Sequence, residues 1–230
     1  MRTLFTTPLL RFAGMWPLGV LALAASSCGV AQLFDYDAKQ VFDTKCKAAA
    51  ERADAEIEEC GFTGPRGGEL PFLMVIPKTE KPPYAAVLFQ HGGGQEMKNY
   101  VSEALILARV GVVSMIADAP AKGEGKNSEL NTMKLEAARN YQTEMVITER
   151  RALDWLLQQP GVDARRVAYV GHSYGGIAGG VLAGVESRIA AFVLIGAVPS
   201  DARHIQENRS PYWQVMRRNM PSRSLRGRFR

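Results

Sequence analysis

The chain has 230 residues, 47% hydrophobic and 22% charged, with a formal net charge of +5 and three cysteines. That suffices for one well-packed domain and excludes two large ones. The positive charge is local, because eight arginines between Asp201 and Arg230 face only Asp201 and Glu207, so the body is mildly acidic and presents no basic face to a nucleic acid.

The N-terminus reads as an export signal. Arg2 and Arg11 flank a short polar start, and the apolar run that follows, "FAGMWPLGVLALAA", is short for a membrane span and ends in small residues. "LALAASSC" is similar to a bacterial lipoprotein box with Cys28 as the lipidated residue, although Ala25 stands where a leucine is usual. Cleavage after Ala31 by an ordinary signal peptidase is the competing choice, so residues 1–31 are expected to be a leader of one kind or the other. The expected location is periplasmic or secreted, and the only expected membrane attachment is a lipid on Cys28. Cys46 and Cys60 remain in either case. In an oxidising compartment they are expected to form a disulfide, the alternative being two unpaired thiols.

Strands are predicted from about Glu56 to Phe62 and from Leu70 to Ile76, joined by the turn-forming "TGPRGGE". "YAAVLFQ" (84–90) is a continuous apolar strand running into "HGGG". "SEALILARVG" has helical spacing and a glycine stop, "VVSMIA" is another buried-type strand, and "DAPAKGEGKNSE" is a loop. A helix is predicted over about 131–159, then a strand at "VAYVG", a small-residue helix at "YGGIAGGVLAGV" and a last strand at "AAFVLIGAV". Apolar strands alternating with helices predict an α/β fold: a mostly parallel sheet flanked by helices, with an antiparallel N-terminal hairpin. In such sheets ligands sit at the carboxyl ends of the strands, where "HGGG", "DAP" and "GHSYGG" all fall.

Ser173 lies in Gly171-His172-Ser173-Tyr174-Gly175, a G-x-S-x-G match with a strand before it and a helix after it. A nucleophile on so sharp a turn requires unfavourable backbone angles, and glycine neighbours let the chain pass closely. The same turn aims a helix N-terminus at the reaction centre, so the Tyr174 N–H can meet a developing oxyanion. The second donor is expected from the unobstructed amides of Gly92 or Gly93, between which the sequence does not choose. The bland alternatives are a packing turn and a flexible loop. His91 is read as a prop for its loop, and His172 as structural, with its side chain turned away from Ser173. No metal-ligand cluster and no cofactor motif is visible, and nothing in the sequence bears on oligomeric state.

"VLFQHGGG", "ALDWLLQQPGVDARRVAYVGHSYGG" and "AAFVLIGAV" together resemble the α/β-hydrolase fold, in its dienelactone-hydrolase-like and acetyl-xylan-esterase-like branch, over about 56–198. The resemblance implies hydrolysis of a small-molecule carboxylic ester through an acyl-enzyme on Ser173. It also implies a triad acid and histidine on loops after later strands. Only four core strands are found from Tyr84 onward, so the last strands are expected to be missing and the chain to be a truncated or frame-shifted hydrolase. Asp201 and His204 are the remaining triad candidates. They lie three residues apart on one connection, and the competing reading of His204 is a surface histidine. Residues 201–230 are expected to be a cap-like or aberrant tail. The alternative function is an inert exported protein that keeps the sheet and the serine turn.

Overall fold

A computed structural model describes residues 31–65, 67–78, 80–119 and 135–197. Two compact units are distinguished, Met1–Leu33 and Phe34–Arg230, and every element named below lies in the second. In chain order these are β1 (Lys45–Glu51), β2 (Ala55–Thr63), β3 (Glu69–Pro77), β4 (Tyr84–Gln90), α1 (Val101–Ala108), β5 (Val112–Ala117), α2 (Leu135–Leu156), β6 (Val162–His172), α3 (Tyr174–Val185) and β7 (Ala191–Ile195). A single sheet runs in the order β1-β2-β3-β5-β4-β6-β7.

The half built from β5, β4, β6 and β7 is parallel, as the apolar strands and intervening helices require. Its centre is β4, buried on both faces from Ala86 to Gln90. Leu88 belongs to one core layer, with Tyr169 of β6, Leu153 and Trp155 of α2 and Leu182 of α3. Val87 and Phe89 belong to the other, with Ile116 of β5 and Ala104 and Ala108 of α1. Burial on both sides is why the strand is apolar throughout instead of alternating.

The antiparallel part is larger than a hairpin. β2 and β3 pair from Ala55↔Pro77 to Thr63↔Glu69, and β1 adds a third strand along β2. β1 escapes a reading by hydrophobic pattern because "KCKAAAE" has no period-2 apolar face and is exposed along almost its whole length. Pairing with β2 makes it a strand, and its charged side chains and a bulge between Ala48 and Ala50 suit a sheet edge. Among the described residues β7 forms the other edge, with Val193, Leu194 and Ile195 exposed.

The chain leading into β1 is strapped across α2. Tyr36 donates its hydroxyl proton to Asp154 at 2.7 Å, Arg150 donates to the Phe34 carbonyl at 2.9 Å, and Trp155 Nε1–H donates to Thr44 Oγ1 at 2.8 Å. Arg151 is fully buried, donates to the Ala38 and Gln40 carbonyls and lies 3.6 Å above the Phe42 ring. Desolvation and the Asp154 carboxylate push the Tyr36 hydroxyl up to about 12. Among the described residues no helix is long and apolar enough to cross a membrane.

Candidate active site

The strand order changes direction at β4: the crossover through α1 places β5 on one side of it, and the crossover through α2 places β6 on the other. A crevice opens beyond the carboxyl ends of strands at such a switch point. The register sets what faces what, because Gln90, the last residue of β4, pairs with Gly171 of β6. The residues that follow, His91-Gly92 on one strand and His172-Ser173 on the other, therefore leave the sheet side by side.

Ser173 takes φ 50° and ψ −110°, and it is the one non-glycine residue with positive φ among the described residues. A serine held there stores about 1–3 kcal/mol of strain. Its own backbone partners fix it, since its N–H donates to the Ile195 carbonyl at 2.7 Å and its carbonyl accepts from Ile177 N–H at 3.0 Å. The flanking glycines are required sterically. A Cβ on Gly171 would lie 2.4 Å from the Gly175 carbonyl oxygen, and one on Gly175 would lie 2.4 Å from the Gln90 carbonyl oxygen. The serine is exposed, and Tyr174 directly after it is the first residue of α3.

The glycine loop meets this turn at Gly92, where a Cβ would stand 3.0 Å from Ser173 Cβ and 3.1 Å from His172 Nδ1. Gly92 N–H is already committed, donating to Gln95 Oε1 at 2.9 Å. Gly93, the next residue, is exposed. Of the two glycines left open by the sequence, Gly92 is the one whose amide is already bonded within its own loop.

Both described histidines are engaged. His91 is buried, its Nδ1–H donates to the Gly92 carbonyl at 2.8 Å, and its Nε2 lies 2.7 Å from Asp118 Oδ1 at the end of β5. The Ala119 N–H completes this knot at 3.0 Å from Asp118 Oδ1. His172 turns toward the glycine loop, where its Nδ1–H donates to Gln95 Oε1 at 3.0 Å. A single amide oxygen, Gln95 Oε1, thus ties the loop after β4 to the turn after β6.

Asp118 opens the "DAP" segment that the sequence places at a strand carboxyl end, whereas Gln95 and Glu149 were not singled out by sequence reasoning. Gln95 directly follows "HGGG" at such an end, and that position is the signal that could have marked it. Glu149 of α2 carried no such signal. Cys46 and Cys60 are cross-strand partners on β1 and β2, joined as a disulfide with sulfurs 2.00 Å apart. Glu58 lies beside them, but the two sulfurs are bonded to each other. Asp201, His204 and Cys28 lie outside the described residues.

No family model and no curated protein matches the sequence. Solved structures do match in fold. The chain is similar to an acetyl xylan esterase from Paenibacillus sp. R4, with TM-score 0.64 and 19% identity over 89% of this chain and 67% of that one. It is also similar to acetyl xylan esterase 1 from Thermoanaerobacterium sp. JW/SL YS485, with TM-score 0.66 and 19% identity over 88% of this chain and 71% of that one. The likeness to a glucuronoyl esterase from Solibacter usitatus has TM-score 0.51 and 14% identity, over 73% of this chain and 57% of that one.

Proposed function

We propose that this chain, whose architecture is the α/β-hydrolase fold, is a serine hydrolase that cleaves carboxylic esters of small molecules through an acyl-enzyme on Ser173. The observation that carries the reading is the apposition of a serine in a left-handed backbone conformation with a glycine whose missing Cβ leaves room for it. Esters are the bond favoured because the structural neighbours are named as esterases of acetyl xylan and glucuronoyl substrates.

In the proposed reaction Ser173 Oγ attacks the ester carbonyl carbon while a base takes its proton. The carbonyl oxygen becomes an oxyanion and receives the amides of Gly93 and Tyr174. Collapse of this tetrahedral species expels the alcohol, which recovers the proton from the base. Water then repeats the sequence on the acyl-serine. Preorganised amides of this kind contribute on the order of 10²–10³ in rate per donor.

The chain contains three histidines, and His91 and His172 are held by the contacts just described. Within this sequence the remaining candidate for an imidazole base is His204, with Asp201 the candidate acid. The second reading, an inert exported protein, is favoured by the three-residue spacing of that pair on one connection. Without a base the serine keeps an unactivated hydroxyl. Export through the N-terminal segment is part of the proposal and agrees with the Cys46–Cys60 disulfide, which persists in oxidising compartments.

A fluorophosphonate probe tests the proposal directly. Labelling of the purified 230-residue chain that is abolished by Ser173→Ala and reduced by His204→Ala is the expected result. A chain that takes up no label and does not turn over 4-nitrophenyl acetate is the inert protein instead.

A further inference from the structure

Beneath the serine turn lies a second arrangement that the proposed reaction does not use. Glu149 of α2 is 1% exposed, and its Oε1 lies 2.7 Å from the hydroxyl oxygen of Tyr169 on β6. The same hydroxyl oxygen lies 2.7 Å from the carbonyl oxygen of Gly175, the closing residue of the G-x-S-x-G turn. Glu149 Oε2 is buried with no hydrogen-bond partner among the described residues.

The proton count follows from donor and acceptor chemistry. A backbone carbonyl only accepts, so the single phenolic proton of Tyr169 goes to Gly175. The phenolic oxygen then offers lone pairs alone toward Glu149, and the bond between them exists only if the carboxyl brings its own proton. An ionised Glu149 would instead face those lone pairs with its other oxygen stranded in the core, a costly arrangement. Burial acts in the same direction, pushing the Glu149 carboxyl up to about 8 and the Tyr169 hydroxyl above its ordinary value.

Among the described residues no cation counters this charge. The neighbouring Arg150 bonds to Glu186 and the Phe34 carbonyl, and Arg151 directs its terminal nitrogens to the Ala38 and Gln40 carbonyls and Asp154. From β6 the titratable group facing Glu149 is Tyr169, which in turn feels Tyr100 from the stretch before α1. The carbonyl held at the far end is sterically coupled to the turn, since it is the oxygen that a Cβ on Gly171 would approach to 2.4 Å.

We propose that Glu149 is a positioning residue, held as a neutral acid, that fixes the serine turn through a directed chain Glu149 O–H to Tyr169 O–H to the Gly175 carbonyl. When the carboxyl proton is lost to hydroxide, which becomes water, the Tyr169 hydroxyl swings to the new carboxylate. The Gly175 carbonyl is then released and the turn loses its support. The effect on Ser173 rests on the hydrolase reading above, whereas the proton arrangement does not.

The test compares the full chain with Glu149→Gln and Tyr169→Phe on either side of about pH 8. Three quantities are followed: the fluorophosphonate labelling rate, the thermal midpoint, and the infrared carbonyl stretch of a protonated carboxylic acid. In the parent chain the acid band is expected to be lost through about pH 8, with a loss of about tenfold in labelling rate, and the thermal midpoint to fall as pH rises from 4.5 toward about 8 and to level off above it. Glu149→Gln keeps a donor to Tyr169, so it retains the neutral-pH rate, lacks the acid band and loses the alkaline fall. Tyr169→Phe cuts the chain and is slow at every pH. An acid band missing from the parent, or an alkaline fall that persists in Glu149→Gln, overturns the proposal. If no form takes up label, the hydrolase reading fails, while the band and the thermal midpoint still decide the state of Glu149.

Discussion

Gly92 and Ser173 approach so closely that a Cβ on the glycine would stand 3.0 Å from the Cβ of the serine. The β4–β6 register delivers this contact, and it leaves no room for a side chain between the loop and the turn. Gly92→Ala must push aside Ser173, Gln95 or His172, whose atoms lie at 3.0, 3.0 and 3.1 Å from the added carbon. Displacing one oxyanion donor costs on the order of 10²–10³ in rate, so a partial shift is expected to slow fluorophosphonate labelling by about tenfold or more. Circular dichroism should show the fold retained. Unchanged labelling would mean that the loop is not part of the reacting site.

Gln95 joins the two halves of that site through one oxygen, which accepts from Gly92 N–H and His172 Nδ1–H. Gln95→Leu removes both bonds, each worth about 1 kcal/mol, and is expected to lower the labelling rate by about tenfold. Gln95→Glu keeps an acceptor in the same place and should restore most of it. The nitrogen resonances of His172 give a second readout: Nδ1 should carry the proton in the parent chain and exchange between tautomers in Gln95→Leu.

Two glycines of α3 predict opposite signs for the same substitution. A Cβ at Gly179 would come within 2.3 Å of Tyr169 Cε1 and 2.7 Å of Leu194 Cδ2, whereas one at Gly184 meets nothing within 4 Å. Gly179→Ala is expected to cost about 1–3 kcal/mol by overpacking. Gly184→Ala is expected to add about 0.5 kcal/mol by lowering the entropy of the unfolded chain. Denaturant titration of the two variants checks both, and a neutral Gly179→Ala would contradict the packing of α3 on β6.

The Cys46–Cys60 bond closes a loop across paired residues of β1 and β2, with a sequence separation of 14. Chain-entropy arguments assign such a loop about 3 kcal/mol. Because β1 is an exposed edge, reduction should loosen it before the core. Dithiothreitol is expected to lower the thermal midpoint and to speed hydrogen exchange in 45–51 while leaving 84–90 protected. Uniform loss of protection would show that the edge and the core unfold together.

The α/β alternation and the serine turn were legible because each rests on a local pattern. Continuous apolar runs such as "YAAVLFQ" report burial on both faces of a strand, and Gly171 and Gly175 flank Ser173 because side chains there would strike backbone. The edge strand β1 was not legible, since "KCKAAAE" buries almost nothing and becomes a strand only through its partner.

The sequence by itself determined which residues could act, because hydrophobic period and glycine placement are written within a few neighbouring positions. Only the tertiary structure decided how those residues are braced. Committing the Gly92 amide to Gln95, turning His172 toward the same residue and stacking Glu149, Tyr169 and Gly175 all depend on how distant parts of the chain are set side by side. Hydrogen bonds act over about 3 Å in space, and no spacing along the chain records which donors a sheet register will bring that close.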